Sequence, residues 1–193
     1  VEWERLGSAL ERVVSLGVDV SVDTWNPEVM RRSISAGATI MNAADGMQGV
    51  EMMNVAAATG VRVVVPFILG EDPKAMSLTQ GDPWETMIPW FRQRIEALEA
   101  AGIRRECLIL DPGTGFGPAD WQWEERRKYQ EAIYSRLDEL RVFELPIYVA
   151  LPWKFDGGRL ELLDMALTAG IDFGRVHHPR FVRERCDILG LSV

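Results

Sequence analysis

The stretch CLILDPGTGFG, residues 107–117, decides the fold. Its first half is apolar at every position, so a strand here has to be covered on both faces, as parallel strands with helical crossovers are. Its second half leaves that strand through Asp111-Pro112 and then places glycine at 113, 115 and 117. A buried strand that ends in a carboxylate and a glycine-rich loop needs unusual backbone freedom or close approach of a ligand. No Lys-Ser/Thr follows the glycines, so the loop is not a nucleotide P-loop. The runs VVVPF (63–67) and IYVAL (147–151) are likewise apolar on both faces.

Helix and strand patterns alternate outward from this segment. Trp3, Leu6, Leu10, Val13 and Val14 share one helical face that Gly17 closes. A strand is expected over 18–23, then a helix over 26–37 with Asn26 as N-cap and Pro27 in the first turn, and a strand over 39–42. The unit recurs as helix 50–59 with strand 61–67, and as helix 82–101 with strand 107–111, Pro89 being expected to kink that helix. Helix 121–141 leads to strand 146–151, and helix 160–169 to strand 173–177. This makes six helix-then-strand units with no Pro/Gly/Ser-rich linker between them, so residues 1–193 are expected to form one domain.

Two α/β architectures compete, an open doubly wound sheet and a (β/α)8 TIM-barrel type with about six of its eight units present. The strand ends favour the barrel. Asp23, Asn42, Asp111, Lys154 and His177 stand at or just after the C-terminal ends of five different strands, where a barrel gathers them into one ring and an open sheet strings them along an edge.

Composition narrows the function classes. The chain has 193 residues and a net charge of −8, from 21 basic and 29 acidic side chains. That balance argues against a phosphate-neutralising nucleic-acid surface, and no apolar run approaches the roughly 20 residues that span a bilayer. Cys107 and Cys186 lie in no CxxC or Cys/His spacing and read as small core residues, so a cytoplasmic, reducing location is expected. Val1 opens the sequence without a secretory signal pattern.

Each strand-end residue also has an ordinary structural explanation. Asp23 suits a helix cap, Asn42 a turn before Gly46, and Lys154 a solvated loop. Arg175 and His177 alternate along the last strand, so a period of two points both to one face, an anion-site pattern, although a half-buried structural histidine is the plain alternative. Together the ring offers two carboxylates, one amide, one lysine and an Arg/His pair. That set matches a flat, nitrogen-rich heterocycle with an attached anion, because a carboxylate accepts two ring N–H groups while an amide donates and accepts in the same plane.

At this level of detail the motifs resemble the dihydropteroate synthases, the pterin-binding (β/α)8 enzymes of folate synthesis. The resemblance is carried by SVDTWNPEVMRRSISAGATIMN (21–42), GEDPKAM (70–76), AAGIRRECLILDPGTGFG (100–117), PIYVALPWK (146–154) and RVH (175–177). It implies that Asp23, Asn42, Asp111 and Lys154 hold a pterin and that Arg175 and His177 hold its diphosphate. Trp153 and Phe116 complete the implied substrate-binding set, with Lys154 and Asp111 as the implied catalytic residues. The implied reaction displaces diphosphate from hydroxymethyl-dihydropterin diphosphate by the amine of 4-aminobenzoate, with magnesium assisting. The partners implied are these small molecules and a second copy in a homodimer.

The chain departs from the family pattern where the second substrate belongs. The family's Asn-Asp is Asn42-Ala43 here, its Met-His is Pro66-Phe67, and its Ser-Arg-Lys is Pro152-Trp153-Lys154. The first two strands and an early asparagine near the metal have no counterpart. Weak use of 4-aminobenzoate is therefore expected. A methyltetrahydrofolate-corrinoid methyltransferase and a non-catalytic pterin-binding paralogue are the alternatives, the first disfavoured because methyl transfer has no diphosphate for Arg175 and His177 to meet.

Overall fold

The computed structural model describes residues 2–43, 45–70, 81–118 and 120–192. All of GEDPKAM except Gly70 lies outside them. Six strands, β1 (Ser21–Asp23), β2 (Ile40–Asn42), β3 (Arg62–Pro66), β4 (Leu108–Asp111), β5 (Tyr148–Ala150) and β6 (Phe173–Arg175), alternate with helices α1 (Glu2–Val14), α2 (Pro27–Ser35), α3 (Val50–Thr59), α4 (Pro83–Ala100), α5 (Trp123–Tyr134) and α6 (Arg159–Thr168). Helix α7 (Pro179–Leu189) follows β6.

Strand order separates the two architectures. All paired strands are parallel, and they run β1-β2-β3-β4 and β5-β6 in chain order with no reversal. A doubly wound sheet reverses its order at a switch point, whereas a barrel proceeds round in sequence. One bridge, Leu110 to Ile147, with Leu110 N–H donating to the Pro146 carbonyl at 2.8 Å, carries the sheet from β4 to β5. The fold is the parallel α/β barrel type, with β1 and β6 paired on one side only among the described residues.

The register fixes which side chains face inward. Asp23 pairs with Asn42, Asn42 with Val64 and Val64 with Ile109. Neighbours in a parallel ladder share a face and so do residues two apart, so Asp111 stands one rung above that row. Leu110 and Ile147 belong to the opposite face, which puts Tyr148 and Ala150 back on the face of Asp111, and Ala150 pairs with Arg175. The helices cover the other face, α1 against α2, α2 against α3, and α4 through α7 in succession. A contiguous buried cluster joins Met41, Val63, Leu108, Leu110 and Val149 of the strands to Phe91, Leu98, Leu162 and Ala166 of the helices.

Several boundaries differ from expectation. The end strands are shorter because Val18 stays exposed at the open side and the chain beyond Arg175 has no ladder partner. The helix expected over 121–141 stops at Tyr134 and resumes as a 3₁₀ segment, Leu137–Phe143. Buried Leu137, Leu140 and Phe143 recur every third residue, which suits the tighter helix, while Arg136 is held by Asp82, Glu139 and the Trp84 ring. Cys107 closes a 3₁₀ turn instead of opening β4, and it and Cys186 are buried free thiols, as small core residues are. Helix α4 continues on both sides of Pro89.

Leu110 is fully buried at the junction between the two paired strand sets. Leu110→Ala is expected to cost about 2–5 kcal/mol in urea unfolding, as large-to-small core changes do. A loss under about 1 kcal/mol would show the junction to be plastic.

Candidate active site

The glycine loop is shaped by one close approach. Gly113 has φ +73°, and a Cβ on it would lie 2.3 Å from the Phe67 carbonyl oxygen, so only glycine fits. Its N–H donates to Asp111 Oδ1 at 2.8 Å, and Phe67 N–H donates to the Asp111 carbonyl at 2.7 Å. Gln130 donates to the Thr114 carbonyl at 2.9 Å and Tyr134 to the Thr114 hydroxyl at 3.2 Å, tying the loop to α5. The carboxylate at the end of β4 is thereby turned into the barrel interior.

A cavity of about 100 Å³ at the C-terminal strand ends is lined by Asp23, Asn42, Asp111, Tyr148 and Arg175, with Gly115, Phe116 and Ala150. Burial pushes the Asp111 carboxyl up to about 7, against the Gly113 N–H and the Arg175 charge that lower it, with Asp23 raising it further. Asp23 is exposed along its edge strand, yet desolvation on the cavity side raises it too, opposed by Arg175. Burial and the Asp111 charge push the Tyr148 phenol up to about 12. Desolvation shifts both carboxyls toward their protonated forms, and a ligand presenting N–H donors would favour their charged forms.

A second cavity, about 240 Å³, adjoins the first across the shared wall of Gly115, Phe116, Ala150 and Arg175. Lys154 and Trp153 line this second cavity and not the first. Lys154 lies four residues beyond the end of β5, and its ammonium rests 4.8 Å from the centroid of the half-exposed Trp153 ring. His177 lines neither cavity. Strand β6 ends at Arg175, so the alternation that put His177 beside Arg175 lapses; its ring sits 6.0 Å from that of Trp153. Phe67, expected near the second substrate, is instead core, edge-on to Trp90 at 5.3 Å. The structure therefore brings together Asp23, Asn42, Asp111 and Arg175, leaves Phe116 on the shared wall, and separates Lys154, Trp153 and His177 from the acidic pair. Sequence reasoning misses Tyr148, although its alternation with Ala150 along IYVAL is an available signal.

Among the described residues no group of three or more His, Cys, Asp or Glu is placed to hold a metal ion. The magnesium implied by the resemblance has no protein-only ligand set among them. Likewise, no helix of the described residues is long and apolar enough to cross a membrane.

Polar side chains that converge on an enclosed space at the C-terminal strand ends stand where barrel enzymes of this architecture build their sites. Residues 1–177 match the family described as pterin binding enzyme. The chain is 34% identical over 162 residues to the dihydropteroate synthase of Escherichia coli (strain K12), across 82% of this chain and 55% of that protein. It is 28% identical over 206 residues to a type-2 dihydropteroate synthase of Escherichia coli, across 97% of this chain and 73% of that protein. Dihydropteroate synthase from Thermus thermophilus superposes with a TM-score of 0.82 at 30% identity, covering 97% of this chain and 78% of that one. Structures of the Thermus protein in complex with 6HMPPP and with 4-aminobenzoate each match with a TM-score of 0.79 at 29% identity, covering 98% and 94% of this chain and 76% and 77% of those chains. The chain belongs to the pterin-binding enzyme family of the dihydropteroate synthases.

The raised Asp111 pKa has a signed consequence for stability. An unfolded Asp ionises near 3.8, whereas the folded one holds its proton to about 7. Folded protein thus binds more protons between these values, and the Asp111 contribution to stability falls as pH rises through that window. Asp111→Asn carries no such charge, so at pH 8 it is expected to gain on the order of 2 kcal/mol or more relative to wild type, compared with pH 4. Urea unfolding at the two pH values reads this; a pH-independent difference would refute it.

Proposed function

We propose that this chain is a dihydropteroate synthase-type transferase that joins hydroxymethyl-dihydropterin diphosphate to an arylamine. The observation that carries the reading is the convergence of Asp23, Asn42 and Asp111 on one small cavity with Arg175 at its wall. In this reading Asp111, sealed from water, accepts N–H groups from the aminopyrimidinone edge of the pterin, and Asn42 and Asp23 complete the polar rim. Tyr148 joins them as a hydroxyl on the same face. Arg175 meets the diphosphate. As the amine nitrogen bonds to the pterin methylene carbon, the carbon–oxygen bond to diphosphate breaks, the leaving group takes the electron pair, and the amine loses a proton. Arg175 then stabilises the charge that develops on the leaving oxygens. Lys154 acts from the neighbouring cavity, toward the arylamine.

The same reading takes residues 1–193 as one barrel domain, and pterin and arylamine as its partners. The family resemblance to relatives solved with 6HMPPP and 4-aminobenzoate supports it.

Calorimetry with hydroxymethylpterin and its diphosphate tests the assignment. Arg175→Ala is expected to weaken the diphosphate by at least about tenfold while leaving the bare pterin nearly unchanged, because only the diphosphate carries charge for the guanidinium to meet. Equal loss for both ligands would make Arg175 structural. No binding of either ligand to the wild type would end the pterin reading.

A further inference from the structure

The larger cavity has a lining unlike that of a general-purpose cleft. Arg126, Lys154, Arg159 and Arg175 all reach it, and among the described residues no carboxylate does, in a chain whose net charge is −8. Four cations around one space repel one another unless something negative is bound or sits close by.

Two of the four are already compensated. Arg159 pairs with Asp156 at 2.8 Å, and its guanidinium lies 3.6 Å from the centroid of the Trp123 ring. Arg175 also lines the acidic cavity beside Asp23 and Asp111. Among the described residues, Arg126 and Lys154 have no carboxylate partner. Arg126 donates to the Pro118 carbonyl at 2.8 Å, and Lys154 rests on Trp153.

The walls are flat and aromatic. Trp123 is fixed by its indole N–H donating to the Gly157 carbonyl at 2.8 Å, and Trp121 packs against Tyr129 with ring centroids 5.4 Å apart. Rings held in this way accept a planar guest at little entropic cost. At the wall toward the acidic cavity, a Cβ on Gly115 would come within 3.2 Å of the Ala150 Cβ, so the bare glycine keeps the way between the two spaces open.

We propose that this cavity takes the second ligand as a planar arylamine carrying two carboxylates, anchored by Arg126 and Lys154, with its amine directed across the Gly115 wall. The proposal rests on the transferase reading for the identity of the guest as a co-substrate. It also accounts for Pro152-Trp153: Arg126, which lies outside the family motif, joins the motif's Lys154 in holding the acid groups, and Trp153 supplies stacking area.

The test compares 5-aminoisophthalate, 4-aminobenzoate and aniline by calorimetry on the intact chain. 5-Aminoisophthalate is expected to bind at least about tenfold more tightly than 4-aminobenzoate, as one more charge-assisted contact gives, with aniline weakest. Arg126→Gln and Lys154→Gln should each reduce that preference to near parity, and Lys154, exposed in its loop, can be replaced without endangering the fold. Arg126→Lys should keep most of the preference. Equal binding of the mono- and dicarboxylate by wild type would overturn the proposal. So would loss of the preference in Arg126→Lys, which would mean that the residue acts only by tethering the loop at Pro118. Hydroxymethylpterin titrated in parallel separates the two readings: a dicarboxylate preference without pterin binding would retain the site and refute the transferase reading.

Discussion

The contact between Gly113 and the Phe67 carbonyl is the constraint on which the site depends. It lets the chain turn back over the end of β4 at a separation that no side chain could occupy. The same turn sends the Gly113 N–H to Asp111 and the Phe67 N–H to the Asp111 carbonyl, so the end of β3 and the glycine loop close on one residue. Buried backbone groups that find partners in this way leave the carboxylate with capacity to spare. Its raised pKa follows, since the seal that positions Asp111 also strips away its water. Positioning and activation thus come from one packing event.

Charge is sorted between the two cavities. The smaller holds the carboxylates, the larger the cations, and Arg175 stands on the wall they share. A guanidinium in that place lowers the pKa of both aspartates while remaining available to an anion. Each compartment therefore has its own preference: N–H donors on the side of the carboxylates, acids on the side of the cations. An uncharged barrel of the same shape would have no such order.

Much of this is legible in the sequence, and the failures have physical causes. Apolar runs on both strand faces and polar strand ends lead to the barrel type, and Asp23, Asn42 and Asp111 meet because register is a local property of short parallel strands. Period two sets His177 beside Arg175 but lapses past the last ladder pair, and Lys154, read as a strand-end residue, lies four residues beyond β5 on the adjoining cavity. Helix α7 carries signals of its own, Pro179 at its start and Gly190 at φ +70° after its end, that a count of helix-then-strand units passes over. The break at Ser135 and Arg136 is invisible in the local sequence because it depends on Asp82 and Trp84, some fifty residues away. Arg126 and Arg159 escape notice because helical arginines read as solvated surface until the Pro118 carbonyl that holds the one and the Trp123 ring beneath the other are located.

The open side of the barrel shows how far curvature survives without a closing ladder. Strands β1 and β6 make no pairing with each other among the described residues, yet Asp23 on one and Arg175 on the other line the same cavity and influence each other's charge. A flat six-stranded ribbon with strands about 4.8 Å apart would hold its edges more than about 20 Å apart. Twist and the outer wall of helices bend the sheet enough to bring them together. Asp23 and Arg175 thus influence each other across the cavity with no ladder between their strands among the described residues.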